Sequence, residues 1–210
     1  MDTRTNQSLS QCAVDQPSPK GGSAVGVPKD EEYWFIAVVK NNTELSVQKK
    51  LASMEIASYV PTQEKLVITP AGRKTYVSKP AIPALIFIFC TENLRKEIVN
   101  LPFINRFVVD LSRTKDEFNR HPIAHIPNDQ IEKLKFMVGN SNGSLKIQSG
   151  AIRLGSHVKV VRGALKGLIG QVERLNNETW INIRIDALGY AGVKVKASDI
   201  KEISSHPSNE

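Results

Sequence analysis

Two histidines four residues apart, His121 and His125, are the first candidates for chemistry in this 210-residue sequence. On one face of a helix, that spacing lets two imidazoles hold a metal ion. Here prolines break the segment into a loop, and no cysteine lies nearby. The sequence also contains no phosphate-cradling glycine loop, no nucleophile elbow and no convincing acid–base pair. We therefore predict a chain without metal, cofactor or enzymatic activity.

A second candidate chemistry is contact with a polyanion. The formal net charge is +7, and the excess is spread over both halves of the chain without a concentrated basic arm. That distribution suits a protein that touches a nucleic-acid backbone while bound mainly to another protein, and a solvated surface explains it equally well. Three cations, Arg73, Lys74 and Lys79, project from a predicted hairpin. For them, too, nucleic-acid contact and a solvated face are both open.

The predicted hairpin leads into the strand that organises the chain. Residues 69–72 (Thr-Pro-Ala-Gly) are typical of a tight turn between two strands. The apolar run up to Phe89 is too short to cross a bilayer and is entered through Pro80 and Pro83. Because proline has no N–H to donate, we predict a buried central strand whose pairing starts near Ala84.

Hydrophobic periodicity predicts further elements on both sides of this strand. They are a strand over 33–39, a helix over 44–56, a helix over 92–100, a strand over 103–109 and a helix from 127 onward. The order β-α-β-β-α-β-α predicts an α+β domain of the split-βαβ (ferredoxin-like) type, with its helices on one face of the sheet.

The pattern changes after a segment rich in glycine, asparagine and serine. From Gly155 onward, short strands at close spacing alternate with glycine corners, which predicts a small SH3-like β-barrel. The predicted organisation is a disordered N-terminal tail (1–30), an N-terminal domain (31–138), a flexible linker (139–151) and the barrel (152–204).

These motifs, taken in order, resemble the NusG family of transcription elongation factors. The resemblance to the NusG N-terminal (NGN) domain is carried by Trp34 and Phe35, by residues 59–63 (Tyr-Val-Pro-Thr-Gln), by 82–87 (Ile-Pro-Ala-Leu-Ile-Phe) and by 101–104 (Leu-Pro-Phe-Ile). The C-terminal block resembles a KOW motif through Val160, Gly163, Gly167, Gly170 and Val172. Together these segments extend from residue 33 to about residue 203.

Within the family, the chain looks most similar to specialised paralogues of the UpxY type. This similarity is in the sequences of residues 82–87 and of residues 126–128 (Ile-Pro-Asn). Such paralogues act as antiterminators on long operons for polysaccharide biosynthesis, including capsular polysaccharide. The resemblance therefore implies a transcription elongation or antitermination factor that suppresses pausing or termination.

The resemblance also implies an apolar surface that docks on the clamp helices of RNA polymerase. The matching positions are Trp34, Ile82 and Leu85, with Ile131 and Leu134 at the border. General NusG proteins usually carry aromatic residues at the positions of Ile82 and Leu85, so we expect an apolar pocket of different shape. For any single residue of this set, a place in the core is the simpler prediction.

Nucleic-acid contacts and further partners follow from the same resemblance. The loop at 100–102 matches a segment that lies near non-template DNA, so Asn100 is predicted to bond a base edge, and Arg95 and Arg106 to approach phosphates. The C-terminal domain is implied to bind ribosomal protein S10 or the termination factor Rho. Its basic residues also suit nascent RNA; they are Arg153, Lys159, Arg162 and Lys166.

Two alternatives remain open. One is a KOW-containing module that associates with ribosomes or binds RNA. The other is autoinhibition by a C-terminal region that refolds into helices over the docking surface, which the β-branched, glycine-punctuated sequence after Gly155 opposes. Without a membrane-length apolar run or a signal pattern, and with only Cys12 and Cys90, we expect a cytoplasmic protein with no membrane contact and no disulfide framework.

Overall fold

The computed structural model describes residues 31–68, 70, 72–141, 145–148 and 155–203. Its strands are β1 (Glu32–Val38), β2 (Ser58–Tyr59), β3 (Thr62–Ile68), β4 (Lys74–Pro80), β5 (Leu85–Thr91), β6 (Arg106–Phe107), β7 (His125–Ile126), β8 (Lys146–Gln148), β9 (His157–Val160), β10 (Ile169–Leu175), β11 (Glu178–Ile185), β12 (Gly189–Val195) and β13 (Ile200–Glu202). Its helices are α1 (Glu44–Ser53), α2 (Glu92–Ile98) and α3 (Asn128–Asn140), with a 3₁₀ turn at Ala197–Asp199. The predicted tail and part of the predicted turn at 69–72 lie outside the described residues.

β1 and β5 form the centre of an N-terminal sheet. They pair antiparallel, with Trp34 opposite Phe89, in the strand order β2-β5-β1-β6, and β7 also pairs with β1. The predicted central strand is thus confirmed as β5, which begins one residue after Ala84. Both strands are apolar at successive positions, so both faces of this sheet need a cover.

The two faces are covered by different helices. α1 and α2 pack on the face that contains Phe35 and Ile86, with Leu51 of α1 fully buried there. α3 packs on the opposite face, against Trp34 and Phe87. The prediction that the helices share one face is therefore wrong. A one-sided helical layer would leave the Trp34 side of an apolar sheet in water.

The elements lie where periodicity predicts them, but several ends differ. α1 stops at Ser53, because Glu55 adopts a left-handed φ of 60° just beyond it. α2 begins at a Thr91 N-cap whose hydroxyl accepts the Leu94 N–H at 3.3 Å. The strand predicted over 103–109 is reduced to β6 and an isolated bridge from Val109 to Ile123.

β8 to β13 form a second, six-stranded sheet, which we call the C-terminal sheet. Its order is β13-β9-β10-β11-β12-β8. Part of the segment predicted as a flexible linker (139–151) has regular secondary structure. α3 continues to Asn140, and Lys146–Gln148 pairs with β12. Between 155 and 203 the regular structure is strand and 3₁₀ turn, so the structure does not show the helical refolding considered above. Closure into an SH3-like barrel and the exact domain boundaries stay predictions.

No helix in the described ranges is both long enough and apolar enough to span a bilayer.

Candidate functional site

Trp34 fixes α3 on the N-terminal sheet. Its ring lies against Phe89, with the centroids 5.1 Å apart, and only 7% of the residue is exposed. Its Nε1 donates a hydrogen bond to Oδ1 of Asn128, the first residue of α3, at 3.0 Å. A buried indole N–H needs such an acceptor, so this bond satisfies Trp34 and positions the start of the helix.

Four of the five predicted docking residues are buried. Trp34 and Ile82 retain 7% and 6% exposure, while Ile131 and Leu134 of α3 have none. Leu85, at the start of β5, is half-buried. In the structure, most residues of this set are therefore core residues. Whether the set docks a partner stays a prediction.

Around Leu85 the cover over this face is incomplete. Tyr59, Leu85 and Phe89 are half-buried and pack against the same apolar cluster as Trp34, and we call these three the apolar rim. The ammonium of Lys135 lies 4.9 Å from the Trp34 ring centroid and 5.7 Å from that of Tyr59. A long, flexible cation is thus the cover over part of this site.

The rim is held in a neutral state. Burial, and secondarily the nearby Glu132 carboxylate, raise the pKa of Tyr59 to about 12. Glu132 itself pairs with Lys135, with 2.8 Å between Oε1 and Nζ. The phenol therefore stays protonated at physiological pH, and the rim presents apolar and aromatic surface beside one surface ion pair.

The C-terminal sheet also lies against α3. Gln130 of α3 and Asp186, just after β11, exchange two hydrogen bonds: Gln130 Nε2 donates to Asp186 Oδ2 at 2.9 Å, and the Asp186 N–H donates to Gln130 Oε1 at 2.8 Å. The apolar cores are continuous here, since α3 residues such as Met137 belong to one cluster with Val158 and Ile183. We call this the α3–β11 contact.

The predicted nucleic-acid residues of the hairpin are exposed. Arg73, Lys74 and Lys79 lie in or beside β4, and the β3–β4 sheet pairs with no other described strand. Arg106 and Asn100 are exposed as well, although the Asn100 Nδ2 donates to its own helix at Lys96 O, 3.0 Å away. Their contact with nucleic acid stays a prediction.

Arg95 has a different environment from the one predicted. Its guanidinium makes two hydrogen bonds to the Glu92 carboxylate, at 2.7 and 2.6 Å, and only 8% of the residue is exposed. It also lies over the rings of Phe35 and Phe107, 5.9 and 5.3 Å from their centroids. Arg95 is therefore a structural cation at the edge of the face covered by α1 and α2. We do not include it among the proposed nucleic-acid contacts.

The KOW-motif residues shape the loop between β9 and β10. Gly163 and Gly167 have φ values of 82° and 98°, which favour glycine. We expected all three glycines of the motif to serve turns with positive φ, and this is wrong for Gly170. Its constraint is close packing, because a Cβ there would lie 2.6 Å from the Asn182 carbonyl oxygen. Val160 is buried and Val172 half-buried, as core positions of this sheet.

The two histidines do not come together as a metal site. His121 Nδ1 lies 3.0 Å from the Arg113 carbonyl oxygen, whereas His125 sits in β7 with its ring 5.1 Å from that of Tyr33. Burial, followed by the Arg113 charge, lowers the pKa of His125. Within the described ranges no three His, Cys, Asp or Glu side chains are grouped to hold a metal.

Sequence reasoning missed Glu44. This first residue of α1 is 1% exposed, and its Oε1 accepts the Ala84 N–H at 2.6 Å. Ala84 has a left-handed φ of 60°, and its carbonyl accepts the Val39 N–H at 2.9 Å. The only signal in the sequence was an acidic residue in a first helical turn, which the helix dipole explains without any burial.

Comparison with known proteins gives a family match over the N-terminal half. Residues 32–135 match the family model described as "Transcription termination factor nusG". No curated protein matches the sequence.

Two solved structures match the chain at low similarity. One, "Domain interaction in Thermotoga maritima NusG", is 13% identical, with a TM-score of 0.43, over 83% of this chain and 98% of that chain. The other, "Crystal Structure of MjSpt4:Spt5 complex conformation A", is 13% identical, with a TM-score of 0.25, over 82% and 99% of the two chains. Neither likeness is high enough to support a structural inference. It is the family-model match that assigns residues 32–135 of this chain to the NusG family.

Proposed function

We propose that this chain is a transcription elongation or antitermination factor that binds RNA polymerase through the apolar rim and suppresses pausing or termination. The match of residues 32–135 to a family of transcription termination factors supports a role in transcription. The observation that carries the proposal is the rim itself, since Tyr59, Leu85 and Phe89 remain half-buried beside the enclosed Trp34.

The rim suits the apolar face of a partner helix. Completing the burial of a large apolar side chain contributes at most about 1.5–3 kcal/mol, so three half-buried residues supply a modest but specific contact. Lys135 would have to swing away from the Trp34 ring, which its flexible stem allows. The clamp helices of the polymerase are the proposed occupant.

Nucleic-acid contact is proposed for the exposed polar and basic residues of the same domain. Arg73, Lys74 and Lys79 of the hairpin, with Asn100 and Arg106, are assigned to non-template DNA or nascent RNA. Their exposure supports this assignment, because only exposed side chains can reach the phosphates and bases of a nucleic acid.

Two finer assignments rest on motif resemblance. One is a UpxY-like role on a polysaccharide-biosynthesis operon. The other is binding of ribosomal protein S10 or Rho by the C-terminal sheet.

The test of the docking surface is the substitution Leu85→Asp in the full chain. A charge in the rim should weaken binding to purified RNA polymerase by at least about tenfold, because it must be desolvated against an apolar partner. Leu111→Asp is the matched control, since Leu111 is 73% exposed and lies outside the rim.

Circular dichroism establishes whether each variant is folded. A folded Leu85→Asp protein that binds polymerase as tightly as the unmodified chain would show that the docking surface is wrongly placed. Sedimentation with ribosomes and no polymerase binding by the unmodified chain would favour the ribosome-associated alternative.

A further inference from the structure

One face of the β3–β4 hairpin is largely apolar and exposed. Leu66 of β3 lies opposite Tyr76 of β4, and the next pair on the same side is Ile68 with Lys74. Directly opposed residues, and residues two apart along a strand, project to the same side of a sheet, so these four side chains share one face. All four are exposed. We call Leu66, Ile68, Lys74 and Tyr76 the hairpin face.

Tyr76 provides the flat surface of the hairpin face. The residue is 70% exposed, and no ring or cation of the described residues lies against it. Leu66, directly opposite, adds aliphatic surface beside the ring. An exposed aromatic side chain on a strand is the kind of platform on which proteins stack unpaired bases. The ring is therefore accessible to a flat ligand from solvent.

The charge of the hairpin restricts the chemistry of that ligand. From residue 62 to residue 80 there are four lysine and arginine residues and one glutamate, which gives a net charge of +3. Lys74 lies on the hairpin face itself and makes no ion pair with any described residue. It is two positions from Tyr76 along β4, which is about 7 Å and within reach of a flexible lysine side chain. The ligand should thus combine a flat ring with an adjoining anion.

The shape of the hairpin favours a nucleic acid over a protein as that ligand. Neighbouring strands are only about 4.8 Å apart, so a ribbon of two strands presents a narrow surface. A stable protein interface buries roughly 800 Å² on each partner, which is more than three apolar side chains supply on their own. A stacked base needs only one ring, and its phosphate supplies the anion.

We propose that the hairpin face binds a single-stranded nucleic acid, with one unpaired base stacked on Tyr76 and the adjoining phosphate beside Lys74. The strand is single because the faces of a base inside a duplex are already covered by neighbouring bases. Leu66 and Ile68 border the stacked base. This inference rests on the nucleic-acid contact within the proposed function, and adds to it the type of strand and a stacking residue.

The test compares single-stranded and duplex DNA on the full chain by fluorescence anisotropy. The probe is a labelled strand of about 12 thymidines, within the usual site size for such contacts, alone or paired with its complement. Tyr76→Leu removes the ring but keeps an apolar side chain. It should weaken binding of the single strand by at least about fivefold and leave binding of the duplex unchanged. Tyr76→Phe keeps the ring and should bind both as the unmodified chain does.

Salt dependence separates stacking from charge. Each phosphate contact to a single strand contributes about −0.7 to the slope of log K against log salt concentration. Lys74→Gln should therefore make the slope shallower by about 0.7, whereas Tyr76→Leu should weaken binding without changing the slope. Phe118→Leu is the matched control, since Phe118 is 67% exposed and lies in the loop between β6 and β7. It should leave single-strand affinity unchanged.

Stacking is also visible without any substitution. In the ¹³C-labelled unmodified chain, the ring resonances of Tyr76 should shift upfield when the single strand is added, and Tyr76→Phe assigns them. Circular dichroism checks that each variant is folded. Saturation with the single strand but no shift of the Tyr76 ring would overturn the proposal. So would a Tyr76→Leu protein that keeps its single-strand affinity, or one that loses single-strand and duplex binding equally.

Polymerase binding is measured on the same variants. If Tyr76→Leu impairs polymerase binding and leaves single-strand affinity unchanged, the hairpin face is a protein contact and this proposal is wrong. An unmodified chain that binds no single strand would overturn both this inference and the nucleic-acid contact in the proposed function. A chain that binds the single strand without a contribution from Tyr76 overturns only this inference.

Discussion

The two faces of the N-terminal sheet are alike in sequence and differ in how completely they are covered. Along β5, the residues that face α1 and α2 (Ile86, Ile88 and Cys90) are all inaccessible to solvent. On the α3 side, Phe87 is inaccessible, but Leu85 and Phe89 are only half-buried. One face is therefore completed by its own helices, whereas the other leaves apolar surface for a further contact.

The largest effect that tests this comparison is expected for Phe35→Ala on the helix-covered face. Phe35 is 1% exposed and packs edge-on to Phe107, so truncation should lower the free energy of unfolding by about 3–5 kcal/mol. Leu85→Ala on the other face should cost less than about 2 kcal/mol, because Leu85 is already partly in water. Chemical denaturation measures both. Equal costs would mean that the faces are equally sealed.

The pH dependence of stability should differ between the faces too. Burial raises the pKa of the Cys90 thiol from 9.0 to about 12, so the folded state favours the protonated thiol. That contribution is present in full below pH 9 and is lost as the pH rises from 9 toward 12, because the unfolded chain ionises first. Urea unfolding between pH 8 and about 11 should show the decline.

In Cys90→Ala the part of this decline that begins near pH 9 should disappear. Tyr59→Phe, on the α3 side, should remove only a component that begins near pH 10, the ordinary pKa of its phenol. A decline unchanged by Cys90→Ala would contradict the assignment.

A smaller effect is expected from Gln130→Ala at the α3–β11 contact. It removes both hydrogen bonds with Asp186 and should weaken the contact by about 1–2 kcal/mol. Hydrogen exchange should accelerate in α3 and β11 while the amides of β1 and β5 keep their protection. Gln48→Ala, which removes a 3.3 Å bond to Ser58 O within the N-terminal domain, is the control. Uniform acceleration across β1 and β5 would show that α3 is not separately held.

The smallest effect is expected from Ala84→Gly. A left-handed φ of 60° strains alanine by about 1–2 kcal/mol, and the greater freedom of glycine in the unfolded chain offsets part of the gain. The free energy of unfolding should therefore rise by no more than about 1 kcal/mol. A loss of stability would mean that the Ala84 methyl group makes a packing contact worth more than the strain.

Element positions were predictable because they depend on local periodicity. Trp34 to Ala37 and residues 84–89 predict strands that are buried on both sides. Trp34 to Ala37 and residues 86–88 are buried as predicted, whereas Leu85 and Phe89 are half-buried. The side on which each helix packs was not predictable, since an apolar strand does not specify its cover. The structural role of Arg95 was missed for a related reason: its carboxylate partner Glu92 is local, but the Phe35 and Phe107 rings are brought beside it only by the fold.

The short separation between α3 and β8 affects how a partner gains access to the surface of α3 that contacts β11. Only five residues lie between Asn140 and Lys146, and β8 is itself an edge strand of the C-terminal sheet. Such a short tether gives the sheet an effective local concentration in the millimolar range. A partner that binds the same surface of α3 must compete with this tethered sheet. Because the effective local concentration does not depend on the protein concentration, dilution of the chain will not release α3 from the sheet.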